Sequence, residues 1–259
     1  MDLGLAGKVA LVTGGSEGIG KATALSLSRE GARVAICARR QEVLDQAAAE
    51  IKAAVGAEVL PISADIMQAE DVQRIVSTVV GRLGPPTILI NNAGTSAAAP
   101  FESVDDEKWY ADLDLKLLAA VRASRLVIPH MRAAGGGRII NVTNIGAKQP
   151  GASSLPTSVS RAAGIALTKA MSKDLAGSNI LVNTVCIGII KSGQLERRAR
   201  TFTDLTLDEA WARIGQNVPL GRIGEAHEAA DVITFLASAR ASYITGVSVN
   251  IDGGTSGVV

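Results

Sequence analysis

The 259-residue sequence predicts a doubly wound α/β fold on a parallel sheet. Three observations predict it: short runs rich in Val, Ile and Leu, amphipathic segments alternating with them, and a glycine-rich turn joining the first run to the first amphipathic segment. The alternation begins with "KVALVTG", a helix over 18–30, "RVAICAR", a helix over 42–55, "AEVLPISAD", a helix over 70–83 and "TILINNAG". It continues with a long helix over about 105–134, "GRIINVTN", a helix over about 158–175, "ILVNTVCIG" and a late "GVSVNIDGG". That makes seven strands. No repeat and no linker rich in Pro, Gly or Ser divides the chain, so one domain over 1–259 is expected. The charged segment 191–219 interrupts the alternation beyond a strand's C-terminal end, where a substrate lid belongs in such sheets.

Composition narrows the partners. The net charge of +1 and the lack of a long basic block exclude nucleic acid as the main partner. An aromatic content of 3% leaves few platforms for stacking bases. A small molecule is the expected ligand. Cys37 and Cys186 lie in apolar runs and read as reduced core thiols, which with the absence of a secretion-signal pattern predicts a cytoplasmic protein. No window holds the roughly 20 apolar residues of a membrane span. His130 and His227 have no second ligand at metal spacing, so no metal is expected.

Gly14, Gly18 and Gly20 follow the first strand and open the first helix. Glycine there lets backbone approach a pyrophosphate, whose charge meets the helix's unpaired N–H groups. Four ordered motifs carry a family resemblance: Thr13-Gly14 with Gly18-Ile19-Gly20, Asn91-Asn92-Ala93-Gly94, "PLGRIG" at 219–224, and "YITGVSVNIDGG". Together they resemble the short-chain dehydrogenase/reductase family over essentially the whole chain. The resemblance implies a single Rossmann domain with strand order 3-2-1-4-5-6-7, a nicotinamide dinucleotide, and a homo-oligomer, dimer or tetramer. It places Gly14, Ser16, Glu17, Gly18, Ile19 and Gly20 at the pyrophosphate, Asp65 and Ile66 at the adenine, and Asn92, Ala93 and Gly94 at the nicotinamide ribose. Gly188, Ile190 and Ser192 would follow at the carboxamide side. An acidic residue at the end of the second strand would bind a ribose 2′-hydroxyl; here stand Arg39 and Arg40, suited to a 2′-phosphate. NADP is therefore expected, with NAD as the alternative and Glu17 as a complication.

The same resemblance implies a Ser, a Tyr thirteen positions on, a Lys four beyond, and an Asn in the long helix. Those positions fall at Asn144, Thr157, Arg161 and Lys116, all substituted. The two tyrosines, Tyr110 and Tyr243, lie far from that helix in sequence. Thr157 is shorter than a phenol and a much weaker acid than one with a pKa of about 10. Arg161 stays charged and suits ribose hydroxyls or a phosphate. Lys116 is the candidate substitute acid, or with Arg161 an anion clamp; the alternative is a lysine that snorkels to solvent. Lys148, Gln149, Ser153 and Ser154 read either as cleft lining or as polar loop. The string Glu196-Arg197-Arg198-Ala199-Arg200 reads either as a site for an anionic substrate or as a solvated helix face.

The expected activity is NADP-dependent interconversion of a small carbonyl and its alcohol with a rebuilt proton path. The alternatives are a non-redox lyase or isomerase on the same scaffold and a nucleotide-binding protein without chemistry.

Overall fold

The computed structural model describes residues 1–259, the side chain of Arg198 excepted. Seven parallel strands form one sheet in the order β3-β2-β1-β4-β5-β6-β7. They are β1 (Val9–Thr13), β2 (Arg33–Ala38), β3 (Val59–Ser63), β4 (Ile88–Asn91), β5 (Gly137–Asn144), β6 (Ile180–Ile187) and β7 (Ser248–Ile251). The single-domain Rossmann expectation and its strand order both hold.

Each central strand is buried on both faces, which is why its sequence reads as unbroken apolar residues rather than as alternation. On β1, Ala10 and Val12 pack toward α1 (Gly18–Arg29), α2 (Gln41–Val55) and α9 (Ala226–Ala237). Val9 and Leu11 point the other way, toward α3 (Ala69–Leu83) and α5 (Ala119–Ala133). Ile88 and Ile90 against Leu89 on β4 repeat the division. Burying one such side chain stabilises by about 1.5–3 kcal/mol, so the two layers clamp the sheet from both sides. Strand order reverses between β1 and β4, and the crevice at their C-terminal ends is where ligands bind in open α/β sheets.

The long helix expected over 105–134 is not uniform. It comprises α4 (Asp106–Leu113), a π-turn over Asp114–Leu118, and α5. Asp105 caps its start by accepting from the Lys108 amide at 2.9 Å. α6 (Thr157–Leu175) begins directly after Pro156, so Thr157 stands at the first helical position, where its side chain is buried. Segment 191–219 carries α7 (Gly193–Ala199) and α8 (Leu207–Gly215), the latter started by a reciprocal capping box between Thr206 and Glu209. No helix among the described residues is long and apolar enough to cross a membrane.

Candidate active site

The glycine turn is shaped for close backbone approach. Gly14 and Gly18 have φ of +66° and +54°, conformations that L side chains rarely adopt. A Cβ on Gly20 would lie 2.2 Å from the Gly14 carbonyl oxygen. Asn92 braces the turn from the neighbouring strand: its Nδ2 donates to the carbonyls of Thr13 at 3.0 Å and Gly14 at 3.1 Å. The Thr13 hydroxyl in turn accepts from the amides of Asn92 and Ala93, tying β1 to the start of the Asn-Ala-Gly turn.

No side chain caps α1, and no acidic residue lies in its first turn. Its leading N–H groups and dipole therefore remain available to an anion. Glu17 sits just before them, but its carboxylate is drawn aside to Arg40, whose guanidinium donates to it at 2.7 Å. Arg39 is exposed and has no side-chain partner among the described residues; only its carbonyl is engaged, accepting from Ser63. These features fit a dinucleotide: a backbone cradle, an uncapped helix start and a free guanidinium at the end of β2. Asp65 closes a tight turn by accepting from the Met67 amide at 3.0 Å.

Farther along the crevice, a buried charged cluster joins α4, the π-turn and α6. Lys116 has a side-chain exposure of 0% and Asp112 of 2%. Lys116 Nζ donates to Asp112 Oδ1 in a very short contact, and to Thr157 Oγ1 at 2.9 Å. Ser160 Oγ donates to the other carboxylate oxygen, Asp112 Oδ2, at 2.6 Å. The amide of Ala97 also donates to Thr157 Oγ1 at 2.9 Å, and two backbone hydrogen bonds between Ala99 and Leu155 fasten the same loop alongside. Lys116 therefore does not snorkel to solvent: with Asp112 one helical turn away, an inward ion pair is available that a lone lysine lacks. Burial pushes the Lys116 pKa down, Asp112 opposes that shift, and the nearby Arg161 adds to it.

Arg161 runs under the Asn-Ala-Gly turn. Its guanidinium donates to the Val142 carbonyl at 2.6 Å, and a Cβ on Gly94 would meet Nη2 at 2.5 Å. Burial pushes its pKa down to about 10, so it stays cationic at neutral pH. Asn144, at the end of β5, keeps its buried Oδ1 without a partner among the described residues. A cavity of about 20 Å³, enough for one water molecule by volume, touches Lys116, Ser160, Arg161, Asn91 and Asn141.

Thus Lys116, Thr157 and Arg161 lie within one cluster or beside it, with Asn144 near its strand end. Asp112, Ser160 and Ala97 were missed. The first two carried a signal, the i,i+4 spacing of Asp112 to Lys116 and the i,i+3 spacing of Thr157 to Ser160; Ala97 acts through its backbone and carried none. Lys148 and Gln149 both have partners within the protein. Lys148 donates to the Ser248 carbonyl and to Asn250 on β7, and Gln149 accepts from the Gly257 amide. Ser154 donates to the Gly151 carbonyl within its own loop. Arg200 pairs with Glu196 and Arg213 stacks over Phe202, as on a solvated helix face; the Arg198 side chain lies outside the described residues. Gly188 packs on Asp252, while Ile190 bridges Gly224 and Ser192 Oγ caps α7. Tyr110 is 72% exposed and Tyr243 fully exposed, and neither side chain has a hydrogen bond among the described residues.

Fold and crevice together define a nucleotide-binding α/β protein of the doubly wound class. The sequence profile of the short chain dehydrogenase family matches residues 8–202, and the chain belongs to that family. It is 34% identical to the 3-oxoacyl-[acyl-carrier-protein] reductase of Thermotoga maritima over 96% of this chain and 98% of that protein. It is 36% identical to human dehydrogenase/reductase SDR family member 4, over 97% of this chain and 88% of the relative. Among solved structures, L-sorbose reductase from Gluconobacter frateurii, complexed with NADPH and L-sorbose, superposes with a TM-score of 0.95 at 34% identity and full coverage of both chains. An NADPH-bound short chain oxidoreductase from Pseudomonas aeruginosa PAO1, described as containing an atypical catalytic center, matches with a TM-score of 0.91 at 34% identity, covering 97% and 98%.

Proposed function

We propose that this protein is an NADP(H)-dependent oxidoreductase interconverting a small carbonyl compound and its alcohol, with the proton source moved from the family's tyrosine to Lys116. The observation that carries this reading is the Lys116 ammonium, buried beside Asp112 and in contact with Thr157 at the family's tyrosine position. Cofactor identity is supported by the NADPH-bound neighbours, by the free Arg39 and by the uncapped α1. When bound, the dinucleotide would exchange a hydride with the substrate carbon.

The chain's own residues would do the rest. Gly14, Ser16 and Gly18 to Gly20 would hold the pyrophosphate on backbone N–H groups, Arg39 the 2′-phosphate, and Asp65-Ile66 the adenine. Asn92 to Gly94 and Arg161 would border the nicotinamide ribose, with Gly188, Ile190 and Ser192 on the carboxamide side. The Asn144 amide would orient the substrate oxygen, and a lid over 191–219 would exclude water. Relatives acting on L-sorbose and on oxoacyl groups favour a polar, uncharged small substrate over an anion, and two of the lid's arginines, Arg200 and Arg213, are already engaged. A homo-oligomer is supported by the exposed apolar side chains of Leu118 on the π-turn and Val159 on α6.

The test is fluorescence titration with NADPH and NADH, followed by assay at the nicotinamide absorbance band against sugars, simple ketones and 3-oxoacyl esters. NADPH binding, with NADPH oxidation coupled to reduction of at least one carbonyl class at a rate at least about 100-fold lower in Lys116→Met, is the expected result. Substrate loss with no absorbance change would instead indicate a lyase or isomerase using the Lys116 and Arg161 cations to hold an enolate, and binding without any conversion a nucleotide-binding homologue.

A further inference from the structure

Resting on that reading, we infer that the Thr157 hydroxyl is the catalytic donor that touches the substrate oxygen, relaying a proton from Lys116, and that Asp112 and Ser160 are the positioning residues of this relay. A hydroxyl has two lone pairs and one proton. At Thr157 both lone pairs are engaged, one by Lys116 Nζ and one by the Ala97 amide, each at 2.9 Å. Its own proton has no acceptor among the described residues, although the side chain is buried. A hydroxyl that accepts twice and donates to nothing among the described residues is oriented to donate to a ligand.

The low acidity of an aliphatic hydroxyl does not bar this role, because the oxygen receives a proton as it gives one. As the carbonyl carbon is reduced, its oxygen becomes an alkoxide. The Thr157 O–H bond breaks and its proton forms the product's O–H bond, while one N–H bond of Lys116 breaks and that proton goes to Thr157 Oγ1. Thr157 is regenerated, the alkoxide becomes an alcohol, and Lys116 is left as a neutral amine. In the alcohol-oxidising direction each transfer reverses.

Asp112 fixes the donor's aim. One carboxylate oxygen accepts from Lys116 and the other from Ser160 at 2.6 Å, so Nζ is held against rotation while a second of its three protons faces Thr157. The depressed pKa of Lys116 agrees with an ammonium ready to part with a proton.

The experiment compares Thr157→Ser with Thr157→Val in the full-length protein, using NADPH with L-sorbose and ethyl 3-oxobutanoate as probes. Thr157→Ser is expected to keep kcat within about fivefold, and Thr157→Val to lose about 100-fold or more with KM little changed. NADPH affinity by fluorescence and the melting temperature should match wild type in both. In protein carrying ε-13C lysine, the Lys116 resonance should move in Thr157→Val and stay in Thr157→Ser, a readout independent of turnover. If Thr157→Val is destabilised, Thr157→Ala serves in its place. A Val or Ala variant that keeps kcat within threefold overturns the relay while leaving the oxidoreductase reading intact. Wild-type protein that binds NADPH and turns over no carbonyl overturns that reading, and the relay with it.

Discussion

The Arg40 guanidinium donates to the Glu17 carboxylate at 2.7 Å, linking the turn after β2 to the turn after β1. This contact removes one of two candidate arginines from competition and draws an acidic group away from the α1 start. Arg39 is left as the free cation of the pair. Arg39→Ala is therefore expected to weaken NADPH binding by roughly 10- to 100-fold, the loss of one charge-assisted contact, and to leave NADH binding nearly unchanged. Arg40→Ala should cost much less. Parallel fluorescence titrations with the two nucleotides measure both effects.

Gly20 faces the Gly14 carbonyl so closely that a single methyl group would stand 2.2 Å from it and 2.5 Å from Asn92 Nδ2. Neither neighbour is a free side-chain end, since one is backbone and the other is held by two hydrogen bonds. Gly20→Ala should displace the turn and reduce NADPH affinity at least about tenfold, with a stability loss of about 1–3 kcal/mol. Isothermal titration and urea denaturation test the two parts separately.

Asp112 and Lys116 form a buried pair whose members depend on each other. Asp112→Asn would leave an ammonium with no counter-charge in the interior, and a loss of about 3–5 kcal/mol is expected. Joining it with Lys116→Met should recover most of that loss while removing the proposed proton source. Urea denaturation of the single and double variants measures the coupling; additive losses would contradict the pairing.

Acid sensitivity should be concentrated at the "PLGRIG" segment. Arg222 makes a two-pronged pair with Glu228 at 2.7 and 2.8 Å, and this hydrogen bonding holds the Glu228 pKa down to about 2. A carboxylate depressed in the folded state stabilises it above the unfolded pKa of 4.5, and that contribution fades as pH falls toward 2. The pair is exposed, so the effect is modest and screened by salt. Glu228→Gln should flatten the decline in melting temperature between about pH 5 and 2 relative to wild type, followed by thermal melts across that range.

The sheet was legible because strands buried on both faces cannot hide their apolar runs, and the glycine turn because Gly14, Gly18 and Gly20 stand where backbone must approach a ligand. Arg39 and Arg40 were equivalent in the sequence, and only the position of Glu17 in space separates them. Lys116 was singled out by its place in the long helix, yet its partner was not, since an acid four residues before a lysine is ordinarily a surface pair. The Ala97 contact lies sixty residues from Thr157 and involves a bare amide, so no side-chain pattern could have announced it.

The π-turn at Asp114–Leu118 introduces a phase slip between the helical segments on either side of it. Residues before and after it follow two different angular registers, so Asp112 and Lys116 reach Thr157 and Ser160 on α6 while Ala123, Val127 and Met131 still meet the sheet. Removing one residue from that bulge would restore a continuous α-spiral and swing the α4 half through about 100° relative to α5. An evolutionary path that regularised this helix would thus turn the ammonium away from Thr157 without altering any residue that binds nucleotide.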